Sequence, residues 1–270
     1  STVSRHLKLL SDEGWLTSRR QGTTNLYRVV LDELDPAQRD LWVLTRRQVA
    51  DWPTLAQDEV RLAARLAERA GDTRSFFDGA AAGWDRTRRE LYGDRFGFDA
   101  LLALLPSEWT VADFGCGTGS LAAELAPHVG RVIGIDNSDA MLAAAAEQTA
   151  GFDHVELRRG ELTDTPLDEA SCDAALCVLV LTYLEADGVA AAVGELYRVL
   201  RPGGKAVVVD LLRHDRDDFR RDLGQRSMGF TPDQLSELLT DRGFSDARCR
   251  PLSPAPDAKG PALLLAQATR

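Results

Sequence analysis

The sequence has little cysteine, no long apolar run and no leader-like start. No stretch of about 18 apolar residues occurs, so no membrane helix is expected, and nothing near Ser1 resembles a signal peptide. The cysteines are scattered, without a pair at metal-ligand spacing, at Cys116, Cys172, Cys177 and Cys249. These absences predict a cytoplasmic protein with reduced thiols, no bound metal and no membrane contact.

Charge is distributed unevenly along the chain. Acidic residues outnumber basic ones by 42 to 32 among 270 residues, for a net charge of −10, which argues against a general nucleic-acid coat. Residues 1–30 differ, because five basic side chains stand there against Asp12 and Glu13, and five minus two gives +3. A basic start on an acidic chain predicts two separate functions.

Composition and periodicity divide the chain into three segments, 1–31, 32–75 and 76–270. The first is predicted to hold a short helix that ends near Leu10, then two strands around a tight turn, as in the C-terminal part of a winged helix-turn-helix. The second predicts a helix from Asp35-Pro36 to Trp52-Pro53 and another over Leu55 to Ala70. These two helices form either a linker or a dimerisation surface.

Short apolar runs alternate with helical patterns in the third segment. The predicted strands are 110–114, 131–135, 154–158, 172–178, 205–211, 247–252 and 262–266. The predicted helices between them include 119–126, 140–148, 188–200 and 232–242. This alternation predicts an α/β fold with a parallel, Rossmann-like sheet of seven strands. No helix separates the last two strands, so we expect them to form an antiparallel hairpin.

A glycine-rich turn follows the first of these strands. Asp113 precedes Gly115, Gly117 and Gly119, and Asp136 ends the next strand. Glycines at a strand-to-helix corner let a ligand lie against bare main chain, and a carboxylate at the second strand end accepts the hydroxyl hydrogens of a ribose. The spacing is G-x-G-x-G, and a carboxylate before it repels a pyrophosphate but suits an ammonium group. The charges therefore favour S-adenosylmethionine over NAD as the cofactor.

This turn resembles motif I of class I S-adenosylmethionine-dependent methyltransferases, and further motifs follow in the family's order. They resemble the ubiquinone-biosynthesis type, over 77–85 (with Trp84 in place of tyrosine), 160–162, 171–177 and 200–205. The resemblance implies that 76–270 is a methyltransferase domain with a small molecule as methyl acceptor.

The resemblance also implies a role for each matching residue. Asp113 faces the methionine amino group, Asp136 binds the ribose, and the three glycines pass under the cofactor. The remaining implied contacts are Asn137 and Met141 beside the adenine, Glu161 and Leu162 at its edge, Cys177 at the methionine moiety, and Trp84 over the site. The alternative to these binding roles is that the glycines only form a tight strand-to-helix corner and that Cys177, Met141 and Trp84 only pack in the protein interior.

No catalytic residue follows from the motifs. Tyr183 and His214 are the candidates, since they come after the fourth and fifth strands of the predicted sheet. His214 suits a base at neutral pH, but the charged run around it is also typical of a solvated surface. Related methyltransferases often have histidine where Thr182 and Tyr183 stand. The scattered cysteines argue against arsenic methylation.

The start of the chain resembles the recognition helix and wing of ArsR-family winged-helix regulators, in 2–16, 19–22 and 27–28. The resemblance implies that these residues contact DNA, namely Thr2, Ser4, Arg5, Lys8, Arg19 and Arg20. It also implies a homodimer. The first helices of that fold would precede Ser1, so we expect DNA binding by the intact gene product and weak or no binding by this chain alone. The alternative is a structural or decayed domain.

Together, these patterns predict an ArsR-like regulator fused to a methyltransferase. A second hypothesis is a non-catalytic sensor of S-adenosylmethionine or S-adenosylhomocysteine that controls transcription.

Overall fold

The computed structural model describes residues 2–22, 24–49, 73–255 and 257–270, together with positions 52, 54, 55, 58, 59, 61, 62 and 65. Within it the backbone forms two compact units, Ser1–Phe96 and Gly97–Arg270.

The first unit begins with a helix and a two-stranded ribbon. Helix α1 spans Thr2–Asp12, and strands β1 (Leu16–Gln21) and β2 (Thr24–Val29) pair antiparallel. The helix runs two residues past its predicted end at Leu10. Gly22, with φ of +63°, occupies the turn between the strands, where a left-handed backbone favours glycine.

The rest of the first unit is helical. The elements are α2 (Pro36–Val49), α3 (Thr73–Ala80), a 3₁₀ turn (Ala81–Gly83) and α4 (Trp84–Tyr92). Asp35 caps α2, because its carboxylate accepts the backbone N–H of Gln38 at 2.9 Å. That helix ends at Val49, before its predicted end at Trp52-Pro53. The predicted helix over Leu55 to Ala70 lies largely outside the described residues.

The second unit is a sheet flanked by helices. Its strands are β3 (Thr110–Phe114), β4 (Arg131–Asp136), β5 (Val155–Arg159), β6 (Cys172–Val178), β7 (Leu200–Leu211), β8 (Ser245–Pro251) and β9 (Leu263–Thr269). The helices are α5 (Phe96–Leu102), α6 (Ser120–Leu125), α7 (Asp139–Thr149), α8 (Ala186–Val199), α9 (Asp217–Asp222) and α10 (Pro232–Asp241).

The strand order is β5-β4-β3-β6-β7-β9-β8. Strand β9 pairs antiparallel with both β7 and β8, and the other pairs are parallel. The predicted α/β fold with a final antiparallel hairpin is confirmed. The chain reverses its direction of travel across the sheet at β3 and β6, and ligands bind at the carboxyl edge of such a switch point.

Two apolar layers hold this sheet. Successive residues of a strand point to opposite faces, so Ala112 and Phe114 join one cluster while Val111 joins the other. Phe114 and Ile135 have no exposed surface. This packing fixes the strand ends that follow, and with them the residues of the carboxyl edge.

Two kinds of feature are missing from the part of the chain that the structure describes. No helix there is long and apolar enough to cross a membrane. No group of three or more His, Cys, Asp or Glu side chains there is placed to hold a metal ion.

Candidate functional site

The glycine turn lies between β3 and α6, against the end of β4. Gly115, Gly117 and Gly119 have φ of +71°, +54° and +80°, values that L side chains rarely adopt. The amides of Gly115 and Cys116 donate to the Ile135 carbonyl at 2.8 and 3.0 Å, which ties the turn to β4.

The three glycines serve different purposes. A Cβ on Gly115 would lie 2.6 Å from Val180 Cγ2, and one on Gly119 would lie 2.9 Å from Ala145 Cβ. These two glycines therefore allow close packing. A Cβ on Gly117 would meet nothing within 4 Å. Gly117 thus leaves open space above the backbone, which is where a ligand has room to approach the main chain.

Asp136, the last residue of β4, is oriented by two backbone amides. Its Oδ2 accepts the Gly117 N–H and its Oδ1 accepts the Ser138 N–H, both at 2.9 Å. Each carboxylate oxygen has two acceptor positions, so each oxygen retains one. The arrangement suits two neighbouring hydroxyl groups, as a ribose presents.

Side chains expected around an adenine lie beyond Asp136. The Asn137 amide donates to Glu161 Oε2 at 3.2 Å, and the Gly160 N–H donates to the Asp136 carbonyl at 3.1 Å. Met141 is 45% exposed in the first turn of α7, whereas Leu162 is buried in the core cluster. The structure therefore brings these predicted residues to the same edge, with Leu162 packed below the surface.

Asp113 is a buried carboxylate with an unsatisfied atom. Its Oδ2 has no hydrogen-bond partner, and the side chain is 2% exposed. Burial, with a smaller contribution from the Asp136 charge, raises the pKa of Asp113 to about 7. A buried carboxylate in this state favours a cationic partner, so the residues at this edge fit an aminoacyl nucleoside such as S-adenosylmethionine.

The cysteines near the turn do not have the character of nucleophiles. Burial, followed by the charges of Asp113 and Asp136, raises the pKa of Cys116 to about 12. Burial also raises the pKa of Cys177 well above its usual value, and this residue lies in the core cluster. Both thiols stay protonated, which agrees with packing roles. The predicted contact of Cys177 with a methionine moiety remains a prediction.

Trp84 belongs to the first unit. Its ring lies edge-to-face on Phe77, with centroids 5.3 Å apart. The predicted role of Trp84 over the cofactor remains a prediction.

The two catalytic candidates have different surroundings. Tyr183 is 43% exposed at the end of a 3₁₀ turn, Leu181–Tyr183. His214 follows β7, and its Nδ1 accepts the Arg216 N–H at 3.1 Å. Asp210, in β7, is fully buried, and its carboxylate accepts the Leu181 N–H at 2.8 Å. Asp210 therefore holds the turn that presents Tyr183.

Some residues at this edge had no signal in the sequence. Leu179 follows β6 with φ of +57°, a conformation that is strained for a branched side chain and is often found at functional sites. Gln225 and Ser227, in a loop after α9, each have a buried side-chain oxygen without a partner. Their spacing matches no motif, so pattern analysis missed them.

The predicted DNA contacts are exposed in the first unit. Thr2, Arg5 and Lys8 line one shallow groove on α1, and Ser4 is exposed on the same helix. Arg19 lies in a groove along the ribbon, and the neighbouring side chain in β1, that of Arg20, donates to the Gly22 carbonyl at 3.3 Å.

Comparisons with known proteins relate this chain to methyltransferases. Residues 111–204 match the family described as a methyltransferase domain. An O-methyltransferase of Pyrenophora dematioidea is 30% identical over 189 residues, which cover 63% of this chain and 70% of that protein. The malonyl-[acyl-carrier protein] O-methyltransferase of Pectobacterium atrosepticum is 33% identical over 175 residues, covering 64% of this chain and 65% of that protein.

A solved structure shows the same relationship. The S-adenosylmethionine dependent methyltransferase from Mesorhizobium loti is 25% identical, with a TM-score of 0.54 over 63% of this chain and 96% of that one. The chain spans 42% to 65% of the length of several curated relatives that it matches.

Proposed function

The chain belongs to the S-adenosylmethionine-dependent methyltransferases, and from this membership we propose that it transfers a methyl group from S-adenosylmethionine to a small molecule. The observation that supports this most directly is the pair of carboxylates beside the bare glycine turn. Asp113 is buried without a partner for Oδ2, and Asp136 is oriented by the Gly117 amide. Two carboxylates repel a pyrophosphate, whereas they suit an ammonium group and a ribose.

Each residue at the edge then has a binding role. Asp113 pairs with the charged amino group, and Asp136 accepts hydrogen bonds from the ribose hydroxyl groups. Gly117 leaves room for the cofactor next to the main chain. Asn137, Met141 and Glu161 surround the adenine, and Leu162 packs beneath them in the core. The bound cofactor supplies a methyl group on a sulfonium. Because such a transfer needs the acceptor atom in line with the methyl, positioning by the chain supplies much of the catalysis.

The first experiment is a calorimetric titration with S-adenosylmethionine. The Asp136→Ala variant loses the acceptor for two hydroxyl groups, and at about 1.5 kcal/mol each we expect roughly 100-fold weaker binding. Asp241→Ala is the matched control, since Asp241 is exposed at the end of α10. Equal affinity in the wild type and Asp136→Ala would contradict the proposed site.

A non-catalytic sensor is the alternative, and the residue at position 182 favours it. Its side chain is buried where related methyltransferases often have a histidine. Incubation with a cell extract and S-adenosylmethionine distinguishes the two functions. An enzyme releases S-adenosylhomocysteine in proportion to time, whereas a sensor binds the cofactor and releases none.

The basic helix and ribbon support a second proposed activity, DNA binding in the manner of ArsR-family regulators. Exposed Arg5 and Lys8 on α1 suit a groove, and Arg19 and Arg20 on β1 suit phosphates. Fluorescence anisotropy with a duplex at low salt tests it. We expect weak binding that a combined Arg5→Ala and Lys8→Ala variant abolishes. Unchanged binding in that variant contradicts this interface.

The homodimer that such regulators form predicts twice the chain mass in sedimentation.

A further inference from the structure

A second polar group of residues lies at the carboxyl edge, outside the cofactor contacts. The carbonyl of Thr182, which follows β6, accepts the backbone N–H groups of Arg226 and Ser227 at 2.8 and 3.2 Å. These bonds hold the loop 224–229 against the Leu181–Tyr183 turn.

Two side chains of this loop have unsatisfied oxygens. Gln225 is 6% exposed, and its Oε1 is buried without a hydrogen-bond partner. Ser227 Oγ is also buried without one. A buried polar atom without a hydrogen-bond partner destabilises the fold. Two such atoms in one short loop therefore indicate a site where a ligand supplies the missing hydrogen bonds.

His214 adds a donor beside the same loop. Its backbone N–H donates to the Met228 carbonyl at 3.0 Å, which places it next to Ser227. Because Nδ1 accepts the Arg216 N–H, the proton of the neutral ring lies on Nε2. Nε2 is buried and has no partner. His214 thus offers a hydrogen-bond donor, and in this geometry it does not offer a free base.

The loop lies close to the cofactor edge. Val180, next to the Leu181–Tyr183 turn, packs on the glycine turn, within 2.6 Å of an ideal Cβ on Gly115. Two charged side chains nearby already have partners. Asp210 accepts backbone N–H groups of Leu181 and Leu211, and Arg226 pairs with Glu185 at 3.7 Å.

We propose that Gln225, Ser227 and His214 bind the methyl acceptor, and that the acceptor is an uncharged molecule with a hydroxyl and a carbonyl oxygen. This inference rests on the proposed methyltransferase function. The acceptor's carbonyl takes the hydrogen bond of His214 Nε2–H, and its hydroxyl donates to Gln225 Oε1. The three unpaired atoms are two oxygens and one N–H of side chains without a fixed charge, and such a set suits an uncharged acceptor. The three residues position the acceptor, and His214 removes no proton.

The test uses the full chain saturated with S-adenosylhomocysteine, which fills the cofactor site without a transferable methyl. Three probes with one ring system are compared by saturation-transfer NMR, namely 4-hydroxyacetophenone, 4-hydroxybenzoate and tyramine. We expect the uncharged 4-hydroxyacetophenone to bind at least tenfold more tightly than the anion and the cation. Failure of the uncharged probe to bind, or preference for a charged one, overturns the proposal.

Variants separate binding from folding. Ser227→Ala, Gln225→Met and His214→Phe are expected to weaken 4-hydroxyacetophenone binding at least tenfold. Ser171→Ala is the matched control, since Ser171 Oγ already donates to the Asp168 carbonyl at 2.7 Å. Removing the unpaired Ser227 oxygen removes a destabilising group from the ligand-free protein, so Ser227→Ala should keep or raise the midpoint of thermal unfolding. Ser171→Ala should lower that midpoint.

The two proposals fail in different ways. If Ser227→Ala lowers the midpoint as Ser171→Ala does and leaves probe binding unchanged, these oxygens are structural and the acceptor proposal is overturned. If the wild type binds no S-adenosylhomocysteine, the methyltransferase proposal itself fails.

Discussion

Asp113 combines burial with a nearby carboxylate, and this combination governs how cofactor affinity changes with pH. In the ligand-free protein its pKa is raised to about 7, chiefly by burial. A bound ammonium group requires the carboxylate, so binding releases a proton below that pH. We expect affinity for S-adenosylmethionine to fall about tenfold for each unit of pH decrease below 7 and to level off just above it.

Calorimetry from pH 5.5 to 7 checks this, because an amino group remains protonated over that range. Titrations in two buffers with different ionisation enthalpies count the released proton. Asp113→Asn has no titrating group and should bind weakly with a flat profile. A wild-type profile that is equally flat would show that Asp113 does not meet the cofactor charge.

The positions of some site residues are predictable from the sequence, and those of others are not. Asp113 and Asp136 are predictable because their signal is local, a carboxylate next to a glycine turn or at a strand end. Gln225 and Ser227 have no local signal, since their loop is held by hydrogen bonds from Arg226 and Ser227 to the carbonyl of Thr182, far away in the sequence. The charged run near His214 predicts a solvated surface, and the buried position of the ring's Nε2 follows only from tertiary packing.

At the scale of elements, the glycine turn combines backbone strain with open space. Gly117→Ala places a side chain at φ of +54° and projects a methyl group into the proposed ligand space. We expect a loss of about 1 kcal/mol in unfolding free energy and at least tenfold weaker S-adenosylmethionine binding. Gly203→Ala is the matched control, at φ of +82° with nothing within 4 Å. A similar loss of binding in both variants would assign the effect to stability alone.

Helix α10 has a capping box at its start. The Thr231 hydroxyl accepts the Gln234 N–H at 3.2 Å, and Gln234 Oε1 accepts the Thr231 N–H at 3.0 Å. Thr231→Ala should lower the unfolding free energy by about 1 kcal/mol in urea titrations. Thr240→Ala, which removes a hydroxyl bonded to the Ser236 carbonyl within the same helix, should change it by less than about 0.5 kcal/mol. Equal effects would argue against the cap.

The strands of the sheet are the elements that sequence patterns locate best. The predicted strands overlap all seven strands of the second unit, and the apolar signal is strongest in β3, β4 and β6, because buried parallel strands need continuous apolar residues. The start of β7 differs, since Leu200 pairs with Cys172 across an irregular register that no periodicity reveals. Helix α9 escaped prediction because its sequence, DDFRRD, is a charged run with little apolar pattern.

At the scale of the whole molecule, charge separates the start of the chain from the rest. The total of −10 and the +3 of residues 1–30 leave −13 for the remainder. Any DNA binding should therefore depend on the basic start and weaken as salt rises. Replacing Arg19 or Arg20 by alanine should reduce the slope of log affinity against log salt by about 0.9 for each. Arg250→Ala, in the second unit, should leave the slope unchanged, and an equal change there would contradict a local interface.

Strand β9 follows β8 along the chain, yet it lies between β7 and β8 in the sheet. During synthesis β8 emerges without its neighbour, since β9 is its pairing strand. The carboxyl half of the sheet therefore closes only after residues 263–269 leave the ribosome. Until then, the β7 edge stays unpaired and open to association with other nascent chains. The order of synthesis therefore lengthens the time for which the β7 edge is exposed, until β9 closes the sheet between β7 and β8.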